Sequence, residues 1–184
     1  MRRAIRNALV AVSVLSVPIS ATAAQLSPIP LFGNWSGGAY DDDQTGKFMR
    51  CIASSPHPSG IDLAVAMERN REWSLGFENQ EWNLQPDVQV PLSIKFDDQS
   101  PWSGSAFALD AHTVLFSMPT DLRLIASFRA AYRMTVTAAG EVYSFKLDGT
   151  SRLMVSLGQC VGTQLAKEPG KPPNSAGTPG LLSK

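Results

Sequence analysis

Ile61-Asp62-Leu63-Ala64-Val65-Ala66-Met67, followed after the polar run Glu68 to Arg71 by Glu72-Trp73-Ser74-Leu75-Gly76-Phe77, decides the fold class. Ile61, Leu63, Val65 and Met67 fall on one side of an extended chain, with Asp62, Ala64 and Ala66 on the other. Trp73, Leu75 and Phe77 repeat the same two-residue period, which belongs to a half-buried strand rather than a helix. Two such runs joined by a short polar turn read as a β-hairpin.

The pattern extends outward in both directions. Upstream, Gly33 to Tyr40 and Phe48 to Ser54 flank the turn Asp41-Asp42-Asp43-Gln44-Thr45-Gly46 and predict another hairpin. The Gly37-Gly38 pair inside a strand marks a bulge or a close approach of backbones. Downstream, Val88 to Phe96, Trp102 to Leu109, His112 to Met118, Tyr132 to Thr137 and Glu141 to Leu147 read as further strands. Two helices interrupt them. Pro119-Thr120-Asp121 is a helix-start signal followed by Leu124, Ile125 and Phe128 at helical spacing. Gly149-Thr150-Ser151 opens the second, with Leu153, Met154, Leu157 and Val161 as its apolar stripe and Cys160 at its end. The expectation is a mainly β, single-domain antiparallel β-sandwich or barrel-like domain, with two short helices over an edge or an open end.

The first residues form a secretory leader. Arg2, Arg3 and Arg6 are its positive region, Ala8 to Ile19 its apolar core, and Ala21-Thr22-Ala23 the small side chains that a signal peptidase requires. Cleavage after Ala23 or Ala24 fits, with Ala24 favoured, so residues 1–24 are read as a signal peptide. Residues 25–165 are read as the β-rich domain, and residues 166–184, rich in Pro, Gly and Ser, as a disordered tail. The apolar core is too short for a bilayer span, and no later segment approaches that length, so no membrane span is expected after cleavage. Losing the leader's three arginines takes the 16 basic residues to 13, against 16 acidic, a formal charge of −3. That balance argues against a nucleic-acid partner, which needs a basic patch.

Cys51 and Cys160 are the chain's 2 cysteines, and an even count in an exported chain predicts a disulfide between them. The chemistry inventory is otherwise thin. The chain has 2 histidines, His57 in Pro56-His57-Pro58 and His112 after Asp110. Neither belongs to a catalytic signature, and neither metal-ligand nor cofactor motifs occur, so no catalytic residue, metal or cofactor is expected. Trp82 and Trp102 lie in or beside loops, and together with the proline-flanked His57 they are the expected binding surface.

Trp35-Ser36-Gly37-Gly38-Ala39-Tyr40, then Phe48 and Cys51, Trp73-Ser74-Leu75-Gly76-Phe77, Trp82-Asn83-Leu84-Gln85-Pro86 and Gly149-Thr150-Ser151-Arg152 carry a resemblance in their order along the chain. They resemble a group of uncharacterised exported proteins of alphaproteobacteria. More distantly, the layout is similar to the invasion-associated locus B family: an early tryptophan, β-hairpins, and a late strand followed by a helix, like Val142 to Leu157 here. That family has no agreed catalytic residues to carry over, and the resemblance implies an envelope binding module. The expected function is therefore a periplasmic or secreted, non-enzymatic module that contacts an envelope or secreted protein. The alternatives are an envelope hydrolase acting on peptide or polysaccharide, which would need His57, His112 or a glutamate pair near Trp82, and an accessory or inhibitor subunit of an exported protease.

Overall fold

Alternation along Ile61 to Phe77 produces the hairpin it predicts. In the computed structural model, which describes residues 25–28 and 33–168, β4 (Asp62–Glu68) and β5 (Trp73–Glu78) pair antiparallel with Leu63 opposite Phe77 and Met67 opposite Trp73. Residues 1–24, read above as a signal peptide, and residues 169–184, read as a tail, lie outside the described residues.

Among the described residues, ten strands form one antiparallel sheet. Before the hairpin come β1 (Gln25–Pro28), β2 (Ser36–Asp41) and β3 (Phe48–Pro56). After it come β6 (Gln89–Phe96), β7 (Trp102–Ala108), β8 (Thr113–Met118), β9 (Arg133–Ala138) and β10 (Glu141–Lys146). Their order is β1-β2-β3-β4-β5-β8-β7-β6-β9-β10. The chain therefore leaves β5, passes over two positions that β8 and β7 will take, and enters as β6. The sheet curls, and one hydrogen bond reaches across between the segments flanking β2 and β10. Trp35 Nε1, just before β2, donates to the carbonyl of Asp148, just after β10, at 2.9 Å. Of the two expected arrangements, the barrel-like one is adopted, as a curled half-barrel made from a single sheet.

Helices fill one end of the curl. α1 (Leu122–Ala130) starts where the helix-start signal Pro119-Thr120-Asp121 places it, with Asp121 as the cap, its carboxylate accepting from the Arg123 N–H at 2.8 Å. Its one buried side chain, Phe128, sits between Trp73 (ring centroids 5.3 Å apart) and Phe96 (6.0 Å). α2 (Thr150–Lys167) packs on β2, β3 and β4 and against α1. The buried Thr150 hydroxyl, between the Phe128 carbonyl at 3.1 Å and the Leu147 carbonyl at 3.0 Å, ties the two helices together.

Two features of α2 differ from the sequence expectation. It is 18 residues long rather than short, and Cys160 lies inside it rather than at its end. Gly158 and Gly162, poor helix formers, hide this continuation. A Cβ added at either would stand 4.0 and 3.9 Å from the Arg71 guanidinium, an ordinary van der Waals contact, so space alone does not require glycine there. The folded part also passes the expected boundary at residue 165. Arg69 holds Glu168 through two hydrogen bonds of 2.7 and 2.9 Å, while donating to the Phe48 carbonyl at 2.8 Å.

Cys51 and Cys160 are joined, across 109 residues, so the bridge fastens the middle of α2 to β3. A register shift helps to place it. Tyr40 faces Arg50 but Asp41 faces Phe48, leaving Met49 as the extra residue of a bulge. The bulge turns both Phe48 and Cys51 inward, where strict alternation would put them on opposite faces. Ahead of the first strand read from the sequence, β1 pairs antiparallel with β2.

The close approach read from Gly37-Gly38 is present at Gly37. A Cβ there would overlap the Ile52 carbonyl oxygen and touch Ala53 Cα at 2.7 Å, both backbone atoms that cannot rotate away. Gly37→Ala is therefore expected to lower stability by about 1–3 kcal/mol through overpacking. Urea denaturation of the variant checks this, and an unchanged midpoint would contradict the close approach.

Candidate functional site

The end of the half-barrel away from the helices is closed by the loop that follows β5. Asn79 N–H donates to the His112 carbonyl at 3.0 Å and Leu84 N–H to the Ala111 carbonyl at 2.9 Å, pinning the loop to the turn before β8. Between those anchors, Trp82 N–H donates to the Asn79 carbonyl at 3.1 Å. This local geometry holds Trp82 and Leu84, both half-buried, over the sheet interior.

Beneath them lies a cavity of about 140 Å³. Its walls are Ile61, Phe77, Val114, Leu92, Val136 and Phe145, with Trp82, Leu84, Val90, Ala138, Ala139 and Tyr143 towards the mouth. Phe77 and Phe145 form an aromatic wall, their ring centroids 5.5 Å apart and tilted by 48°. Among the described residues, no carboxylate, histidine, lysine or arginine lines the cavity. Among the described residues of the lining, the side-chain hydrogen-bond donors belong to Trp82 and Tyr143. Such a site can accept an apolar group and exclude water; its lining holds no proton-transferring pair.

The three residues expected to share a binding surface are separated by the fold. Trp82 lines the cavity. Trp102 instead turns onto the core: its ring meets buried Phe116 edge-on at 5.1 Å, and Gly104 leaves room for both rings. Its half-burial is a packing feature. His57 lies behind the cavity wall, edge-on to Phe145 at 5.0 Å, and lines a separate polar cleft with Trp35, Arg133, Ser144, Lys146 and Asp148. Thus Phe145, which lines the cavity, also packs against His57.

Tyr143, Phe145, Val90, Leu92 and Val136 were not expected as site residues, because each reads as an ordinary strand position. The available signal was Trp82 and Leu84, two large apolar side chains in an otherwise polar loop.

Neither histidine is arranged as a base. His57 Nε2 and His112 Nδ1 are buried without a hydrogen-bond partner among the described residues, and no serine or carboxylate side chain bonds to either ring. Nor do the described residues contain a group of three His, Cys, Asp or Glu that could hold a metal ion.

Burial pushes His57 below the ordinary 6.5, and the nearby Asp62 carboxylate only partly opposes this. The folded chain therefore resists protonation at His57, whereas the unfolded chain does not. Its contribution to stability is complete above the ordinary histidine value. It is lost as pH falls from there through the depressed folded value. In urea titrations between pH 7.5 and pH 5, His57→Gln is expected to lose less stability than the wild type. Equal losses would contradict the burial of the neutral ring.

The fold and cavity together define a class: a helix-plugged, disulfide-fastened half-barrel with an apolar pocket at the end away from the helices. No family model matches the chain, and no curated protein matches it. Among solved structures, the architecture is similar to the crystal structure of invasion associated protein b from Bartonella henselae. The TM-score is 0.51 at 14% identity, over 76% of this chain and 99% of that one. The distant resemblance to the invasion-associated locus B family is thus a resemblance of fold.

Proposed function

We propose that this chain is an exported protein of the bacterial envelope, periplasmic or secreted, that works by binding another envelope component rather than by catalysis. The observation that carries the reading is the apolar cavity under Trp82: a preformed site without an acid, base or nucleophile in its lining. Export is supported by the leader-like first residues and by the Cys51–Cys160 bridge, a bond typical of oxidising compartments. The fold likeness to a protein named for invasion agrees with an envelope setting. No helix of the described residues is long and apolar enough to cross a membrane. The hydrolase alternative has no hydrogen-bonded histidine to favour it.

Affinity capture from the native envelope fraction tests the proposal. Wild type is expected to retain an envelope protein that Trp82→Ala releases. Identical retained sets, or a cytoplasmic protein with its leader intact, would overturn it.

A further inference from the structure

The size of the cavity restricts its ligand. At about 140 Å³ it matches apolar protein cavities of roughly 150 Å³, which stay dry and accept a benzene-sized molecule. A long acyl chain or a fused-ring lipid exceeds that volume and would leave much of its apolar surface outside the mouth. A sugar or a charged head group would leave water for walls that offer only the Trp82 and Tyr143 donors. The aromatic members of the lining, Phe77, Trp82, Tyr143 and Phe145, present ring edges and faces, and a further ring packs well against such surfaces in tilted or edge-on geometry.

The space has an identifiable origin. Met134, Val136 and Ala138 follow one another on the inward side of β9, and the last is too small to continue the packing. The loop above is already held by backbone hydrogen bonds at Asn79 and Leu84, so the pocket is formed before anything enters.

We infer that the cavity beneath Trp82 is a receptor for one six-membered aromatic ring, presented by a phenylalanine-type side chain of a partner protein. This rests on the binding-module reading above and gives it a ligand class. The ring enters between Trp82 and Tyr143 and stacks in the space left by Ala138, with Phe77 and Phe145 as its far wall. The peptide carrying it stays outside, where polar groups keep their water.

The test is titration of the full oxidised chain by calorimetry and by backbone amide NMR, using toluene, N-acetylphenylalaninamide and n-hexane as probes. Toluene and the amide are expected to saturate one site near or below about 1 mM, with hexane at least tenfold weaker. Ala138→Leu, which fills the space, is expected to weaken toluene at least tenfold while melting at or above the wild-type temperature. Absence of saturation by toluene, or unchanged affinity in Ala138→Leu, would overturn the inference. Toluene binding without the amide would overturn the peptide-borne source, and hexane binding as tightly as toluene would overturn ring selectivity. Those last two results leave the binding-module reading standing. That reading fails separately if wild type and Ala138→Leu retain the same envelope proteins.

Discussion

Replacing both Cys51 and Cys160 with alanine is expected to lower the unfolding free energy by about 4–5 kcal/mol, the largest effect of any change considered for this fold. The bridge spans 109 residues, and cross-linking a loop of that length removes much of the freedom of the unfolded chain. The logarithmic dependence on length gives the figure, which belongs to the chain-entropy account of disulfides. The bond also does positional work. It fastens the middle of α2 to β3 beside the Met49 bulge, and α2 covers the inner face of β2, β3 and β4. For a folded unit of this size the loss corresponds to a drop in melting temperature of roughly 10–15 °C. Thermal and urea denaturation of the double alanine variant measures it, with the oxidised wild type beside it. A variant that melts with the wild type would show that α2 is held by packing alone.

Phe128→Ala is expected to cost about 3–5 kcal/mol, the usual range for deleting a fully buried aromatic ring. Phe128 has no exposed surface, and it is the one buried residue of α1. Its ring fills the gap between Trp73 and Phe96, so its loss opens a cavity and removes two ring contacts together. Its carbonyl also accepts from the buried Thr150 hydroxyl, and a detached α1 would strand that hydroxyl group. Phe128→Leu, which keeps most of the volume, is expected to cost less than half as much. Leu122, on the same helix but 81% exposed, is the control: Leu122→Ala is expected to change stability by no more than about 0.5 kcal/mol. Urea titrations of the three variants check the order, and limited trypsin digestion at Arg123 and Arg129 reports whether α1 has come loose. Equal costs at positions 122 and 128 would contradict the placement of the helix.

These expectations draw on different depths of legibility in the sequence. Hairpins were readable because adjacent strands are adjacent in sequence: the phase of Leu63, Val65 and Met67 against Trp73, Leu75 and Phe77 carries its own register. The start of α1 was readable from Asp121, whose capping depends on the next two residues only. Pairing of the two cysteines followed from their number. The Met49 bulge was not visible, since it is defined by what Asp41 and Tyr40 face on the other strand. The neighbourhood of β5 and β8 was hidden for the same reason, with more than thirty residues of chain between Phe77 and its partner Val114. The cavity was least legible of all. Its wall residues obey the alternation that any core obeys, and a void arises only from the sum of side-chain sizes at one level of the barrel. Trp82 stood out because it breaks the polar character of its loop. Trp102 stood out equally, yet the structure turns it onto Phe116 beside Gly104.

The central claim, that the end of the half-barrel beneath Trp82 is where this protein meets its partner outside the cytoplasm, can be tested directly by photo-crosslinking in living cells. A benzophenone side chain placed at the exposed Asn83, between the two residues that roof the cavity, samples whatever sits at the mouth. The account predicts a discrete crosslinked product with an envelope protein that diminishes when Ala138→Leu fills the pocket. Crosslinks confined to the chain itself or to cytoplasmic proteins, or a product indifferent to Ala138→Leu, would contradict it.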